Sequence, residues 1–289
     1  MNLGLLYDEN VLNIAAQNSA TSLKAYRLNY GGHVFFHVVN TAKSQWSPTF
    51  NFSDMYSLST ELKSDPTIQS TDPMLLDFSF PYRSDFSIGK ASSTLTVSPA
   101  LQLIYMTKNT SARELVFQNY TLTTALTIGH TAALTSTYKI YLTKENSNYT
   151  VSFPDDNQNT QKTMVTVSNY YLLDKDYNEN AIFELSYLLN KADGVNISYR
   201  KPTATLGYVR TFATKWTLYA KADYSSADYY ESSFSRKDST SAFSINTSYS
   251  LNAADNVNLG LQYQKNNSNN DVYNYSKFIF SLGYSISHF

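Results

Sequence analysis

Residues 241–263 read SAFSINTSYSLNAADNVNLGLQY, and apolar and polar positions alternate along them with a period of two. Phe243, Ile245, Thr247, Tyr249 and Leu251 alternate with Ala242, Ser244, Asn246, Ser248 and Ser250; after a short polar turn, Val257, Leu259, Leu261 and Tyr263 alternate with Asn256, Asn258, Gly260 and Gln262. Successive side chains of an extended chain point to opposite faces, so the pattern predicts a hairpin whose strands each have one apolar and one wet face. The alternation recurs throughout the chain and predicts about fourteen strands, with twelve to sixteen as the range the boundaries allow. They fall at 2–13, 24–40, 48–62, 73–87, 93–108, 113–130, 135–150, 162–173, 180–191, 195–212, 215–225, 238–251, 256–266 and 274–289. No helical period interrupts them, and Pro202 breaks the alternation in the 195–212 segment.

The links between strands are of two kinds. One set is longer and polar, at 14–23, 63–72, 109–112, 151–161, 226–237 and 267–273; the other is mostly brief, at 90–92, 130–134, 213–215 and 252–255, with longer members at 41–47 and 174–179. Long and short ends that alternate predict an up-and-down barrel, and an even strand number puts both termini at the short-turn end. No composition shift marks a second domain, so residues 1–289 are read as one barrel domain.

A soluble β-sandwich also alternates, but its strands usually run about 5 to 6 residues, whereas many segments here keep the alternation for about 10 or more. The two faces separate the cases further. Leu95, Val97, Leu101, Leu103 and Tyr105, like Tyr120, Leu122, Leu126 and Ile128, form apolar stripes; Thr94, Thr96, Ser98, Gln102, Thr121, Thr123 and Thr127 lie opposite them. Small hydrogen-bonding groups suit a wet lumen and the apolar stripes suit lipid, with closure of the sheet removing the unpaired edge that hydrocarbon does not tolerate. Tyr105, Tyr120, Tyr138, Tyr149, Tyr187, Tyr224, Tyr249 and Tyr263 are candidates for the aromatic girdles at the two interfaces.

Composition agrees. The 289 residues include 25 Tyr and 16 Phe but only 9 Gly, 7 Pro and no Cys, a strand-favouring balance without disulfides or thiolate metal sites. The formal net charge of −1 supplies no basic field for nucleic acid. No stretch reaches the roughly 18 apolar residues of a spanning helix, which leaves strands of about 9 to 11 residues as the way across. NLGLLYDENVLN follows Met1 with no basic and apolar leader, so the chain is read as a mature or engineered form with an added initiator Met.

The terminal FIFSLGYSISHF places Phe278, Phe280, Leu282, Tyr284 and Ile286 on one parity, with Phe289 on the other. It resembles the C-terminal strand signal of bacterial outer-membrane proteins, which implies the barrel insertion machinery as a partner. NLGLLYDENVLN and the stretch from RKDSTSAFSINTSYS to the C-terminus resemble the barrel domains that follow tetratricopeptide repeats in export and surface lipoprotein assembly modifier proteins. That resemblance implies a role in transport or export; the repeat domain those families carry is not present in this sequence.

Chemistry is sparse. His33 and His37 in GGHVFFH share a strand face about 13 Å apart, too far for one metal ion. His130 lies in a turn, His288 at the terminus, and Asp155 and Asp156 are adjacent acids in a polar loop. No nucleophile, base and orienting group stand together, so neither catalysis nor a cofactor is expected. The charged strand residues Lys139, Glu184, Arg200, Lys221 and Asp223 are expected to point into the lumen, because Lys or Arg facing lipid costs about 2 to 4 kcal/mol; for Arg200 a place beyond the bilayer stays open. With Asn246, Asn258 and Gln262 they are the expected pore lining, and the 226–237 loop, through Tyr229, Tyr230, Phe234 and Arg236, is a candidate constriction, with a plain surface loop as the alternative. The whole reads as an all-β, closed up-and-down antiparallel transmembrane barrel of the bacterial outer membrane, in contact with outer-membrane lipid and lipopolysaccharide. It would pass a polar solute or polymer by diffusion; the alternatives are a non-conducting barrel that anchors or assembles a surface component and, third, a lipid-modifying barrel enzyme.

Overall fold

The computed structural model describes residues 2–8, 25–57, 73–107, 113–148, 159–174, 176, 178–194, 197–212, 215–232, 235–252 and 255–286. Seventeen strand segments make one sheet: β1 (Asn2–Asp8), β2 (Ala25–Phe35), β3 (Val39–Asn40), β4 (Ser44–Trp46), β5 (Thr49–Ser57), β6 (Pro73–Ser79), β7 (Tyr82–Ile88), β8 (Ala91–Thr107), β9 (Arg113–Gly129), β10 (Leu134–Ser147), β11 (Thr160–Leu172), β12 (Glu179–Ala192), β13 (Tyr199–Phe212), β14 (Trp216–Asp228), β15 (Lys237–Ser250), β16 (Asp255–Ser268) and β17 (Tyr275–Ile286). All pairings are antiparallel, and β1 pairs with both β2 and β17, so the ladder returns to its start. Of the seventeen segments, β3, β4 and β7 continue the neighbouring long strands, which leaves a ring of fourteen.

Prolines explain two of the three breaks, and the third, between β2 and β3 at residues 36–38, lies across from Pro48. Pro48 separates β4 from β5 and Pro81 separates β6 from β7, because a residue without an N–H interrupts the ladder. Their carbonyls still accept, Pro48 from the Phe36 N–H at 2.9 Å and Pro81 from the Ser47 N–H at 3.1 Å, while Pro99 in β8 accepts from the Phe80 N–H at 3.0 Å. Residues 41–47, expected as a long link, therefore contain a strand piece, and the turn shrinks to Thr41, Ala42 and Lys43, closed by the Ser44 N–H on Thr41 Oγ1 at 2.9 Å. Pro202 behaves differently: it remains inside β13, opposite Tyr187, while the ladder to β14 skips Lys201 and Pro202. Among the described residues the strand begins at Tyr199, and residues 195 and 196, expected at its start, lie outside them.

The chain is apolar outside and polar inside. Leu206 is 61% exposed, Tyr224 57% and Leu185 50%, whereas Thr205 is 6% exposed and Ser168 4%. Among the described residues only Val116, Ala192 and Ala227 are buried apolar side chains. Two packed sheets would bury these stripes against each other, so a sandwich is excluded. Five consecutive strands carry the pattern in register: Phe183, Leu185, Tyr187 and Leu189 in β12, Leu206 in β13, Tyr224 in β14, Phe243 in β15 and Leu259, Leu261 and Tyr263 in β16 are all exposed.

Outward aromatics sit at both ends of this belt. Near the short-turn end Phe212, Trp216, Tyr249, Val257 and Tyr284 are successive cross-strand partners, with the Trp216 and Tyr249 rings 4.6 Å apart. Near the long-link end stand Tyr187, Tyr224 and Tyr263. Tyr149, Asp155, Asp156, Phe234, His288 and Phe289 lie outside the described residues.

Candidate functional site

The inward face is a set of cross-strand rows, because paired residues of adjacent strands point to the same side. One row runs Thr94, Thr127, Thr137, Ser168, Glu184, Thr205 and Asp223 over seven strands. Its members bond to one another: Thr127 and Thr137 hydroxyls lie 3.0 Å apart, Ser168 donates to Glu184 at 2.6 Å and Thr205 to Asp223 at 2.5 Å. Each carboxylate on this row is met by a hydroxyl of an adjacent strand, which holds it in place. Lys221 adds an ion pair to Asp223 at 3.0 Å, and Lys139 lies one row above, opposite Thr166.

Lys139, Glu184, Lys221, Asp223, Asn246, Asn258 and Gln262 thus all share the face opposite the apolar stripe. Gly260 makes room among them: a Cβ there would stand 2.6 Å from Asn246 Oδ1 and would also meet the Ser281 hydroxyl. Arg200 does not join them. It shares a face with Pro202 and Leu206 at the long-link end of β13, and its Nε and Nη2 donate to Asp228 Oδ2 at 3.0 and 2.7 Å. The expectation rested on the cost of a charge at mid-membrane, which falls to about 0–1 kcal/mol near the interface.

Tyr229 and Arg236, which flank the link between β14 and β15, fall on the inward parity of their strands. Ser235, at φ 46°, turns the chain immediately before Arg236. The Arg236 guanidinium then lies 4.1 Å from the centre of the Tyr229 ring and 3.3 Å from that of Tyr273, and ion-pairs with Asp238 on the inward side of β15. Tyr229 packs 5.2 Å from Tyr199, the first inward residue of β13. Burial pushes the Tyr229 phenol up to about 12, so it stays neutral across the physiological range. Tyr230 diverges from this group: its ring is 39% exposed and its hydroxyl donates to the Asn190 carbonyl at 3.4 Å.

Several inward groups escape a reading based on strand charges alone. Tyr199, Asp238 and Tyr273 complete the arginine cluster, and Lys162 bridges to Glu145 at 3.3 Å. Parity counted from Val165 would have placed Lys162 inward; nothing local in the sequence joins Tyr199 to Tyr229. His33 and His37 do not converge: Phe35 lies between them, with ring separations of 6.4 and 5.2 Å, and His37 Nδ1 is 3.1 Å from the Ser47 hydroxyl. No cluster of three metal-ligating side chains exists among the described residues.

No protein-family model matches the chain, and no curated protein matches it in sequence, so the likeness to assembly-modifier barrels has no match behind it. Solved structures do match. Over 99% of its length the chain is similar to a protein described as the CymD monoaromatic hydrocarbon channel, at 10% identity and a TM-score of 0.50 over 87% of that chain. It is similar at 7% identity and 0.50 to a bacterial polysaccharide outer membrane secretin over 98% of that chain. OmpT of Vibrio cholerae, described as outer-membrane expressed, matches at 10% identity and 0.50 over 94% of its chain. At such identities the likeness concerns the fold. The chain has the fold of bacterial outer-membrane β-barrels, and its apolar belt is the surface such a barrel turns to lipid.

Proposed function

We propose that the protein is a passive channel of the bacterial outer membrane, through which polar solutes or a polymer diffuse. The observation that carries this reading is the inward face itself: seven strands in succession present hydroxyls and carboxylates where a packed interior would present Val, Ile and Leu. Fourteen strands spaced about 4.8 Å apart and tilted about 40° close at a backbone radius of about 14 Å, and inward side chains about 6 Å long leave a wet passage. Lys139, Glu184, Lys221, Asp223, Asn246, Asn258 and Gln262 line it, with both signs of charge, which gives weak ion selectivity. The Tyr229–Arg236–Tyr273 stack narrows the long-link end. Solved neighbours described as a hydrocarbon channel and a polysaccharide secretin fit a transport role without naming this chain's solute.

In this reading the barrel acts without catalysis, its last strand is the part presented to the insertion machinery, and its outer face meets lipid and lipopolysaccharide. Reconstitution in planar bilayers tests it: ohmic steps that scale with salt support a channel. Silent, correctly folded barrels in the bilayer would replace the channel by an anchor or assembly role, and phospholipid hydrolysis in detergent would replace it by an enzyme.

A further inference from the structure

Beneath the long-link rim, the ends of β10, β11 and β12 enclose a cavity of about 390 Å³ lined by Lys144, Glu145, Asn159, Gln161, Lys191 and Asp193. Lys144, Gln161 and Lys191 are direct cross-strand partners on the outward face. The apolar belt begins immediately below them, with Leu142 two residues down from Lys144, Val165 four from Gln161 and Leu189 two from Lys191, each more than 40% exposed. The cations therefore stand where hydrocarbon gives way to headgroups.

The charges in the cavity are unevenly satisfied. Asp193 accepts from Asn159 Nδ2 at 3.1 Å, and Glu145 is held by Lys162 from the inward side at 3.3 Å. Lys144 and Lys191 form no ion pair among the described residues. Asn159 fixes the frame, accepting the Ser147 N–H on its side-chain oxygen at 2.7 Å and the Asp193 N–H on its backbone carbonyl at 2.9 Å. At the other end of the belt the outward Arg210 is already bound to Glu179 at 3.0 Å.

We infer that this cleft binds the phosphorylated headgroup of a membrane lipid, with Lys144 and Lys191 holding phosphate and the acyl chains lying on Leu142, Val165 and Leu189. Two strand spacings, about 10 Å, separate the lysine backbones, and both flexible stems reach one phosphate group or bracket two. A free anion would need only the lysines; the belt directly beneath them selects a ligand with a hydrocarbon tail. The inference deepens the lipid contact of the proposed channel and rests on its membrane placement.

The test uses the full chain reconstituted in phosphatidylcholine vesicles containing a minor fraction of phosphorylated lipid A, with lipid A glucosamine retained through detergent exchange as the readout. Wild-type protein retains the phosphorylated lipid, and Lys144→Gln with Lys191→Gln weakens retention about 30-fold, as expected for removing two cations at a membrane surface. Lys265→Gln, which alters another outward lysine of the same rim outside the cleft, leaves it near the wild-type level. Equal retention by the double variant, an equal loss in Lys265→Gln, or displacement of the lipid by inorganic phosphate overturns the inference. Heat-modifiable migration reports that each variant is folded. Conductance on the same vesicles separates the two proposals: a conducting protein without bound lipid sinks the cleft alone, and a silent one with bound lipid sinks the channel alone.

Discussion

Arg236 lies over the ring of Tyr229, 4.1 Å from its centre, and so ties the end of β14 to the start of β15 at the inner wall. The second face of the guanidinium is covered by Tyr273, and its N–H groups meet Asp238, so one side chain joins two links and a strand. A cation between two aromatic faces gains from both ring quadrupoles.

Loss of this cation should loosen the mouth. In Arg236→Ala the single-channel conductance rises and its open-state noise increases, and Asp238 loses its partner in a buried setting at a cost of about 3–5 kcal/mol. Arg236→Ala with Asp238→Asn regains most of that stability and keeps the larger conductance. Unchanged conductance in both variants would show that the stack does not narrow the path.

Leu185 and Ser186 are adjacent and face opposite ways, the first 50% exposed on the belt and the second opposite Thr203 and Thr166 on the inner wall. Leu185→Arg costs about 2–4 kcal/mol in lipid vesicles, while Ser186→Arg costs little. Urea unfolding midpoints of the two variants check the assignment of faces, and the reverse order would invert it.

Gly31 and Gly32 are neighbours with different surroundings. A Cβ on Gly31 would collide with the Phe52 carbonyl oxygen, part of a backbone that has little room to yield, whereas one on Gly32 would meet nothing within 4 Å. Gly31→Ala is expected to destabilise the β2–β5 pairing by about 1–3 kcal/mol and Gly32→Ala to leave it unaltered. Comparable unfolding midpoints for the two would contradict the register of Gly31 against Ser53.

Lys139 and Lys221 both project inward, and reversing them changes the sign of charge on the wall without touching the belt. Lys139→Glu with Lys221→Glu should move the reversal potential under a salt gradient toward that of a cation-selective pore. If the potential stays at its wild-type value, these side chains do not face the conducting path.

The strand period was legible because it is local: two residues of extended chain suffice to set which face a side chain takes. The aromatic candidates show this, since Tyr120, Tyr138, Tyr187, Tyr224 and Tyr263 all emerge exposed on the outward side. The breaks were less legible. Pro48 reads as the start of a strand, yet Ser44–Trp46 before it pairs with β3 and β7, partners that only the folded sheet supplies.

By itself the sequence determined the two-faced strands, the barrel they require and the division into long and short ends, because alternation and turn chemistry act over a few residues. Tertiary structure alone decided depth and convergence. Arg200 is a strand charge like Glu184, but its height on the wall follows from the register of β13 against β12 and β14, and that height places it beside Asp228 above the belt. Likewise Tyr199, Tyr229, Arg236 and Tyr273 belong to three separate links and strand ends, and they meet only because ring closure stacks those ends around one mouth.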